Sequence, residues 1–333
     1  MAQLVSDDVY QLRLPFANTR LVYANAYLIR STQGWVLVDA GSDEDVSRAR
    51  LRAALADIAH RGERVHETWV THLHPDHYGG TGEVTDGSGG FRYTDQDRVL
   101  LGRAARLVNA SGYWERHGAP ERFAEETHEW FRARMSQLPL PSPHHPLADG
   151  DVLTSGGRRF EVLSTPGHTP GHVCFYEPAT QLLLTGDHIL PRETPHVGLW
   201  PGEMDNPLQH YLNALRRIRG LRVRFALPGH GAPISNVAER IDVILDHHAE
   251  RLADAERAVV DGNAEGASGE GASTYEVAAR MRWSIPWERQ TGHDRALAFT
   301  EAHAHLEVLR SEGRVRRSPE TQGDGAKVRW VRA

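Results

Sequence analysis

Residues 71 to 80 read Thr-His-Leu-His-Pro-Asp-His-Tyr-Gly-Gly, which puts four potential metal ligands, His72, His74, Asp76 and His77, into six positions. They follow Val65-His-Glu-Thr-Trp-Val70, an apolar run that reads as a buried strand entering a turn. Strand alternation would send His72 and His74 to one face and His77 to the other. A turn at Pro75 removes that conflict and lets a loop bring all four side chains together. Two histidines in a loop would read as ordinary surface. Three with an aspartate supply the imidazole and carboxylate donors that a zinc or iron site needs, so the fold must open the end of a strand onto a metal-binding loop.

The chain before this motif reads as strands over 9–16, 22–31 and 35–39, the last ending at Asp39 beside a Gly turn. Residues 44–61 follow as an amphipathic helix with Val46, Leu51, Leu55 and Ile58 near one face. Strand, helix, strand with polar groups at the strand ends is an α/β pattern whose sites gather at strand termini. After the motif, residues from about 95 to 137 turn helical and carry Tyr113, Trp114, Phe123, Trp130 and Phe131. This stretch reads as a helical insertion, and the competing place for its aromatics is a packed core. It ends in the proline-rich residues 138–146, which cannot be helix.

Three later strands repeat the pattern of ending in a polar loop. Residues 159–164 open into Thr165-Pro-Gly-His168-Thr-Pro-Gly-His172, 182–184 into Thr185-Gly-Asp187, and 222–227 into Pro228-Gly-His230-Gly. Each alone is weak. Together with the first cluster they form a constellation of chemistry-bearing residues delivered at strand ends.

In this order, Asp39, the His72-x-His74-x-Asp76-His77 cluster, His168, Asp187 and His230 resemble the five motifs of the metallo-β-lactamase-fold hydrolases, over about residues 8 to 235. The resemblance implies an αββα sandwich with a dinuclear site at one edge. His72, His74 and His168 would hold one metal, Asp76, His77 and His230 the other, and Asp187 would bridge both. Asp39 and His172 would stand behind the ligands and orient them, as metal-ligating histidines generally require. Two zinc ions per chain are expected, with iron or manganese as alternatives. Divalent metals about 3.5–4 Å apart would supply a bridging hydroxide and polarise the carbonyl or phosphoryl oxygen it attacks. Asp76 would aim that hydroxide and serve as the catalytic carboxylate. Tyr78, Trp114, His188, His196 and Trp200 are the candidates for the substrate pocket. Trp200 has a place in the core as its competing explanation.

Helices are expected over 206–219 and 236–261, the second with Val237, Ile241, Ile244 and Leu245 inward. Residues 262–273, rich in Gly, Ser and Ala, read as a flexible linker between a catalytic domain, 1–261, and a small domain, 274–333. The latter shows helices over 274–281 and 296–313 and two short strands, and it resembles the winged-helix tail of the β-lactamase-like 2 subfamily. That subfamily includes hydrolases and an endoribonuclease. Arg280, Arg282, Arg310, Arg314, Arg316, Arg317, Lys327 and Arg329 make the tail basic, which suits either a solvated face or nucleic acid.

Composition limits the functions. With 333 residues, 40% hydrophobic and 25% charged, the chain has room for one large domain and a small one. A net charge of −6 argues against a large nucleic-acid footprint. The first residues show neither a basic nor an apolar leader segment and no run is long enough to cross a bilayer, so neither a secretory signal nor a membrane partner is expected. Cys174, the single cysteine, excludes an internal disulfide, fits a reducing cytoplasmic compartment and belongs on a buried strand. The expected activity is hydrolysis of an ester, thioester or lactone carbonyl of a small molecule. A metal-dependent phosphodiesterase or endoribonuclease is the first alternative, and a mononuclear-iron sulfur dioxygenase the second. Whether copies of the chain associate is open.

Overall fold

A computed structural model describes residues 2–16, 22–84, 89–99, 112–135, 140–264, 271–318 and 327–333. The chain divides into two compact units. One comprises Met1–Val99, Leu138–Pro195 and Asn213–Asp242, the other Leu100–Gln137, His196–Leu212 and Val243–Ala333.

In the first unit, the described strands form two sheets in which neighbours in sequence are mostly neighbours in space. The larger runs β1 (Gln3–Ser6), β2 (Val9–Pro15), β3 (Tyr23–Ser31), β4 (Gly34–Val38), β5 (Val65–Trp69), β6 (Phe91–Tyr93) and β7 (His144–Pro146). Its first four strands pair antiparallel, and from β4 onward the pairing is parallel. The second sheet contains β8 (Val152–Ser155), β9 (Arg158–Ser164), β10 (Val173–Glu177), β11 (Leu182–Gly186) and β12 (Phe225–Pro228), with only β11 and β12 parallel.

Alternation along the strands explains why the sheets pack face to face. Tyr27 and Ile29 on β3, Val36 and Val38 on β4, Phe160 and Val162 on β9, Val173 and Phe175 on β10, and Leu182 and Leu184 on β11 all enter one buried cluster around Trp69. Leu28 and Leu37 take the opposite parity and pair in register on the other face of the larger sheet. Helix Asp45–His60 is the covering layer expected from the sequence, and it buries Leu51 and Ile58. Val46 departs from expectation: it is 50% exposed, because the buried stripe begins one residue later at Ser47. Cys174 lies on β10 and is fully buried, as expected, and burial pushes its thiol up to about 12.

The second unit joins pieces that the sequence reading kept apart. The expected helical stretch 95–137 consists, where described, of helical residues 95–99 and helices Tyr113–Arg116 and Glu121–Met135; residues 100–111, 136 and 137 lie outside the described residues. Gly118, at φ 86°, and Pro120 break it between the last two. His117 offers its carbonyl to Tyr275 N at 3.1 Å and its Nδ1 to Thr274 Oγ1 at 2.8 Å, and Val328 N donates to Arg116 O at 2.6 Å. Trp114, Phe123 and Phe299 pack ring to ring. Both ends of the expected linker, 262–273, carry secondary structure. Helix Val237–Ala264 runs into it, and at its far end Ala272 exchanges two backbone hydrogen bonds with Trp330 while Ser273 caps helix Thr274–Arg280. Residues 265–270 lie outside the described residues. Helix Gly292–Ser311 starts earlier than expected because Thr291 and Asp294 form a capping box. Val315–Arg317 and Trp330–Arg332 pair antiparallel as β13 and β14. Among the described residues, no helix is long and apolar enough to cross a membrane.

Candidate metal centre

Every candidate ligand lies just past the end of a strand. Asp39 follows β4, the 72–77 cluster follows β5, His168 follows β9, Asp187 follows β11 and His230 follows β12. Parallel pairing of β4 with β5 and of β11 with β12 puts these ends on the same side of each sheet, where α/β folds place their sites. Asp39 itself adopts φ 58°, a conformation that Asp tolerates better than most residues and that turns its carboxylate back across the strand ends.

Hydrogen bonds behind the ring nitrogens fix which nitrogen of His72, His77 and His230 faces the cluster. Asp39 accepts from Thr71 N at 2.8 Å, from Thr71 Oγ1 at 2.9 Å and from His77 Nδ1 at 2.9 Å. With its proton committed to Asp39, Thr71 Oγ1 is left to accept from His72 Nδ1 at 3.1 Å. His230 Nδ1 donates to the carbonyl of Tyr23 at 2.8 Å. Nε2 therefore faces the centre in His72, His77 and His230. Asn25 secures the His230 loop by donating from Nδ2 to the carbonyls of Pro228 and Gly231, both at 2.9 Å. Gly229 is required there, since a Cβ would fall on Asp187 Oδ1 and within 2.7 Å of His77 Cε1.

Three groups of donor atoms could hold a metal: His72, His74 and His168; His72, His77 and Asp187; and Asp76, His77 and His230. Two ligand atoms about 2.0–2.1 Å from one tetrahedral zinc stand roughly 3.3 Å apart. The observed separations match. His72 Nε2 to His74 Nδ1 is 3.1 Å, His230 Nε2 to Asp76 Oδ2 is 3.3 Å and His77 Nε2 to Asp187 Oδ1 is 3.5 Å. Asp187 Oδ2 stands 3.4 Å from His230 Nε2 and 3.6 Å from His168 Nε2, between members of two groups. His77 Nε2, His230 Nε2 and Asp187 Oδ1 are buried with no hydrogen-bond partner among the described residues. Buried polar atoms left this way are costly, and a cation is the partner this donor set fits.

Electrostatics divides the cluster. Burial, reinforced by neighbouring imidazoles, holds His72 well below the usual histidine range and His74 at about 3, so both are neutral and ready to ligate. Burial also opposes charge on His77 and His230. Asp187 overrides it, raising His77 well above its usual range and His230 to about 10. Asp187 and Asp76 stay ionised despite burial because His230 and His77 stand beside them. A divalent cation would take over the balancing of these carboxylates from the protons.

The remaining candidates separate into different environments. His172 accepts from Asp187 N at 3.1 Å and turns Nδ1 to Thr165 Oγ1 at 2.8 Å, so both nitrogens are engaged in holding the Asp187 backbone. Tyr78 and His188 are buried in the first unit, His188 with no exposed surface and its ring 6.0 Å from that of His172. Trp114 is wholly buried in the second unit, so it packs a core where a pocket wall was expected. In the same unit His196 stands 3.3 Å from Thr300 Oγ1 and 3.8 Å from Glu301 Oε2, with Trp200 half-buried against its ring. The sequence reading missed Asp97, whose buried carboxylate accepts from Leu73 N, Thr169 Oγ1 and Gly171 N. Its only signal was Thr94-x-x-Asp97, which reads equally well as a helix start.

The model of the metallo-β-lactamase superfamily matches residues 19–230, which contain the whole constellation. The chain belongs to this superfamily. A metallo-β-lactamase family protein from Thermus thermophilus superposes with a TM-score of 0.77 at 30% identity, covering 98% of this chain and 99% of that one. An atrochrysone carboxyl ACP thioesterase of Aspergillus fumigatus is 25% identical over 228 residues, 68% of this chain and 56% of its own. An acyl-coenzyme A thioesterase of Gallus gallus is 30% identical over 169 residues, 50% of this chain and 57% of its own. The chain thus spans little more than half the length of these two relatives. β-Lactamase-like protein 2 homologues are also similar, that of Drosophila melanogaster being 28% identical over 229 residues, 68% of this chain and 65% of its own. As a superfamily member the chain carries a His and Asp cluster suited to metal.

Proposed function

We propose that this superfamily member is a hydrolase that cleaves small acyl thioesters, and esters or lactones of similar size, at a centre of two divalent ions, zinc being the favoured metal. His72, His74 and His168 would hold one ion, Asp76, His77 and His230 the other, and Asp187 both. The observation that carries this reading is the position of Asp187 Oδ2, 3.6 Å from His168 Nε2 and 3.4 Å from His230 Nε2, in a cluster where the buried Nε2 atoms of His77 and His230 lack hydrogen-bond partners among the described residues. The ions would supply an activated water and stabilise the oxyanion that develops on the carbonyl.

The chain's own residues supply orientation and proton handling. Asp39 and the carbonyl of Tyr23 fix the ligating faces of His77 and His230. Asp76 is the carboxylate a substrate reaches, its side chain being 29% exposed against 8% for Asp187. As a carboxylate beside the ions, it would take the proton that the attacking water gives up. No nucleophile from the protein is required.

Thioesters are favoured because two thioesterases are among the relatives, one 25% identical over 228 residues and the other 30% identical over 169. The tail supports the same choice over RNA. Arg317 and Arg310 pair with Glu307, Arg314 with Glu256 and Glu312, and Arg329 with Glu276, which neutralises much of the basic surface expected there. The single buried cysteine supports a cytoplasmic place of action.

Metal analysis of the purified chain combined with turnover of acyl-coenzyme A, aryl ester and lactone substrates tests the proposal. Close to two zinc or similar ions per chain and metal-dependent acyl cleavage are expected. One tightly held iron per chain with oxygen uptake would replace it with the dioxygenase reading.

A further inference from the structure

Asp97 contributes no atom to any of the donor groups, yet it joins the two loops that carry one of them. The residue is 1% exposed, in the helical residues 95–99 that follow β6. Oδ2 accepts from Leu73 N at 3.0 Å and from Thr169 Oγ1 at 2.9 Å, while Oδ1 accepts from Gly171 N at 2.6 Å. Leu73 lies between His72 and His74, and Thr169 directly follows His168. Thr94 adds a second tie, donating from Oγ1 to Gly171 O at 2.8 Å. The approach is close enough that a Cβ on residue 171 would fall on Thr94 Oγ1.

Other supports act elsewhere: Thr71, held by Asp39, meets His72 Nδ1 at 3.1 Å but reaches neither His74 nor His168 among the hydrogen bonds of the described residues. Asp39 reaches Thr71 and His77, and the carbonyl of Tyr23 reaches His230. Neither bonds to the loop of His168, and Asp97 bonds to neither His77 nor His230 among the hydrogen bonds of the described residues. We propose that Asp97 is the positioning residue of the His72, His74 and His168 group. It sets the span between two loops that are about a hundred residues apart in sequence, and through that span the affinity of these three nitrogens for a metal. This rests on the reading that the groups hold metal ions. An ionised carboxylate suits the task because it accepts three hydrogen bonds at fixed angles and donates none. An amide of the same shape would turn N–H against N–H or O–H at one of its two positions.

The test is zinc affinity by chelator competition on the full-length chain, with Asp97→Asn placed in two backgrounds. His230→Ala disables the second group and leaves the first, while His168→Ala does the reverse. Asp97→Asn should cost about 10–100-fold in affinity in the His230→Ala background, the usual consequence of removing a partner behind a ligand. In the His168→Ala background the loss should be several-fold smaller, because Asp97 bonds to no residue of the second group and the loop it ties to Leu73 no longer has His168 to position. Equal losses in both backgrounds, or none in the first, would overturn the proposal, since a general loosening of the fold cannot choose between groups. Should circular dichroism show that Asp97→Asn does not fold, Thr169→Val removes one of the three donors and should give the same split with a smaller first loss. Wild-type chain that binds no zinc would sink the metal reading and this inference with it. Wild-type chain that binds two ions, neither sensitive to Asp97→Asn, would sink the positioning role alone.

Discussion

His230 commits its Nδ1 hydrogen to the carbonyl oxygen of Tyr23, 2.8 Å away, and this bond across more than two hundred residues of sequence decides what Nε2 can do. Nε2 is left 3.3 Å from Asp76 Oδ2 and 3.4 Å from Asp187 Oδ2, among carboxylate oxygens and with no hydrogen-bond partner among the described residues. His230→Ala should therefore reduce bound metal from about two ions per chain to about one. Acyl-thioester turnover should fall by more than about 100-fold, beyond the range for losing only a partner behind a ligand. Elemental analysis with steady-state kinetics checks both. Unchanged stoichiometry would remove His230 from the ligand set.

Asp187 stands between members of both groups, so its loss should be felt twice. Asp187→Ala should retain less metal than His230→Ala, while Tyr78→Phe, altering a buried ring that belongs to none of the donor groups, should retain the wild-type content. Elemental analysis after dialysis against a weak chelator gives the ranking. Asp187→Ala that still holds two ions would assign the bridging position to another residue.

The second unit, which holds none of the donor groups, contains a pH-sensitive pair of its own. His305 donates Nδ1 to the carbonyl of Glu301 at 2.7 Å, which leaves Nε2 to accept from His248 Nδ1 at 3.3 Å. Burial lowers His305 to about 4 and His248 well below its usual range. A group whose folded pKa is depressed contributes stability that is present above its unfolded value, near 6.5, and lost as pH falls through the folded one. Between pH 6.5 and 4 the chain should lose on the order of 3 kcal/mol through His305 alone. Thermal melts across that window should show the loss, and His305→Leu should make it smaller. An equal slope in the variant would place the titration elsewhere.

Removing residues 274–333 would strip His117 of its bonds to Thr274 and Tyr275 and expose Trp114 and Phe123, which now pack on Phe299. All the donor atoms of the candidate centre belong to the first unit. The truncated chain should bind metal in wild-type ratio wherever it remains folded but should melt lower and aggregate. Size-exclusion chromatography with elemental analysis of the monomer fraction checks this. A soluble monomer without metal would show that the site depends on the tail.

How much of this the sequence carried follows from how local each signal is. The candidate ligands were legible because a metal demands particular side chains at particular strand ends, and a run such as His72 to His77 has few other uses. The tautomers could not be read, because they depend on Tyr23 and Asp39 reaching residues distant in the chain. Asp97 was invisible for the same reason: a carboxylate near a helix start is common, and only the folded loops reveal three donors converging on it. The tie between the insertion and the tail was also hidden, since His117 and Thr274 are 157 positions apart and no local pattern encodes their bond. Trp114 shows the limit of inferring exposure from residue type: an aromatic-rich insertion suits a pocket or a core, and packing against Phe123 and Phe299 gave it the core.

The choice between an acyl substrate and RNA turns on charge. A nuclease meets a phosphodiester strand with Lys and Arg whose neutralisation of phosphates makes binding weaken steeply with salt. This chain carries a net charge of −6, and in its tail Arg310, Arg314, Arg317 and Arg329 already face carboxylates. A strand would have to compete with Glu307 for Arg317, whose guanidinium stands 2.5 Å from that carboxylate. Turnover of short acyl thioesters should therefore exceed cleavage of single-stranded RNA, and it should change little between low and physiological salt. Substituting Arg316 and Arg317 with Gln should leave thioester kcat/KM within about twofold, as for surface changes that share no partner with a site. Metal-dependent RNA cleavage that persists while every acyl substrate fails, and that weakens in the Arg316→Gln, Arg317→Gln chain, would reverse the assignment.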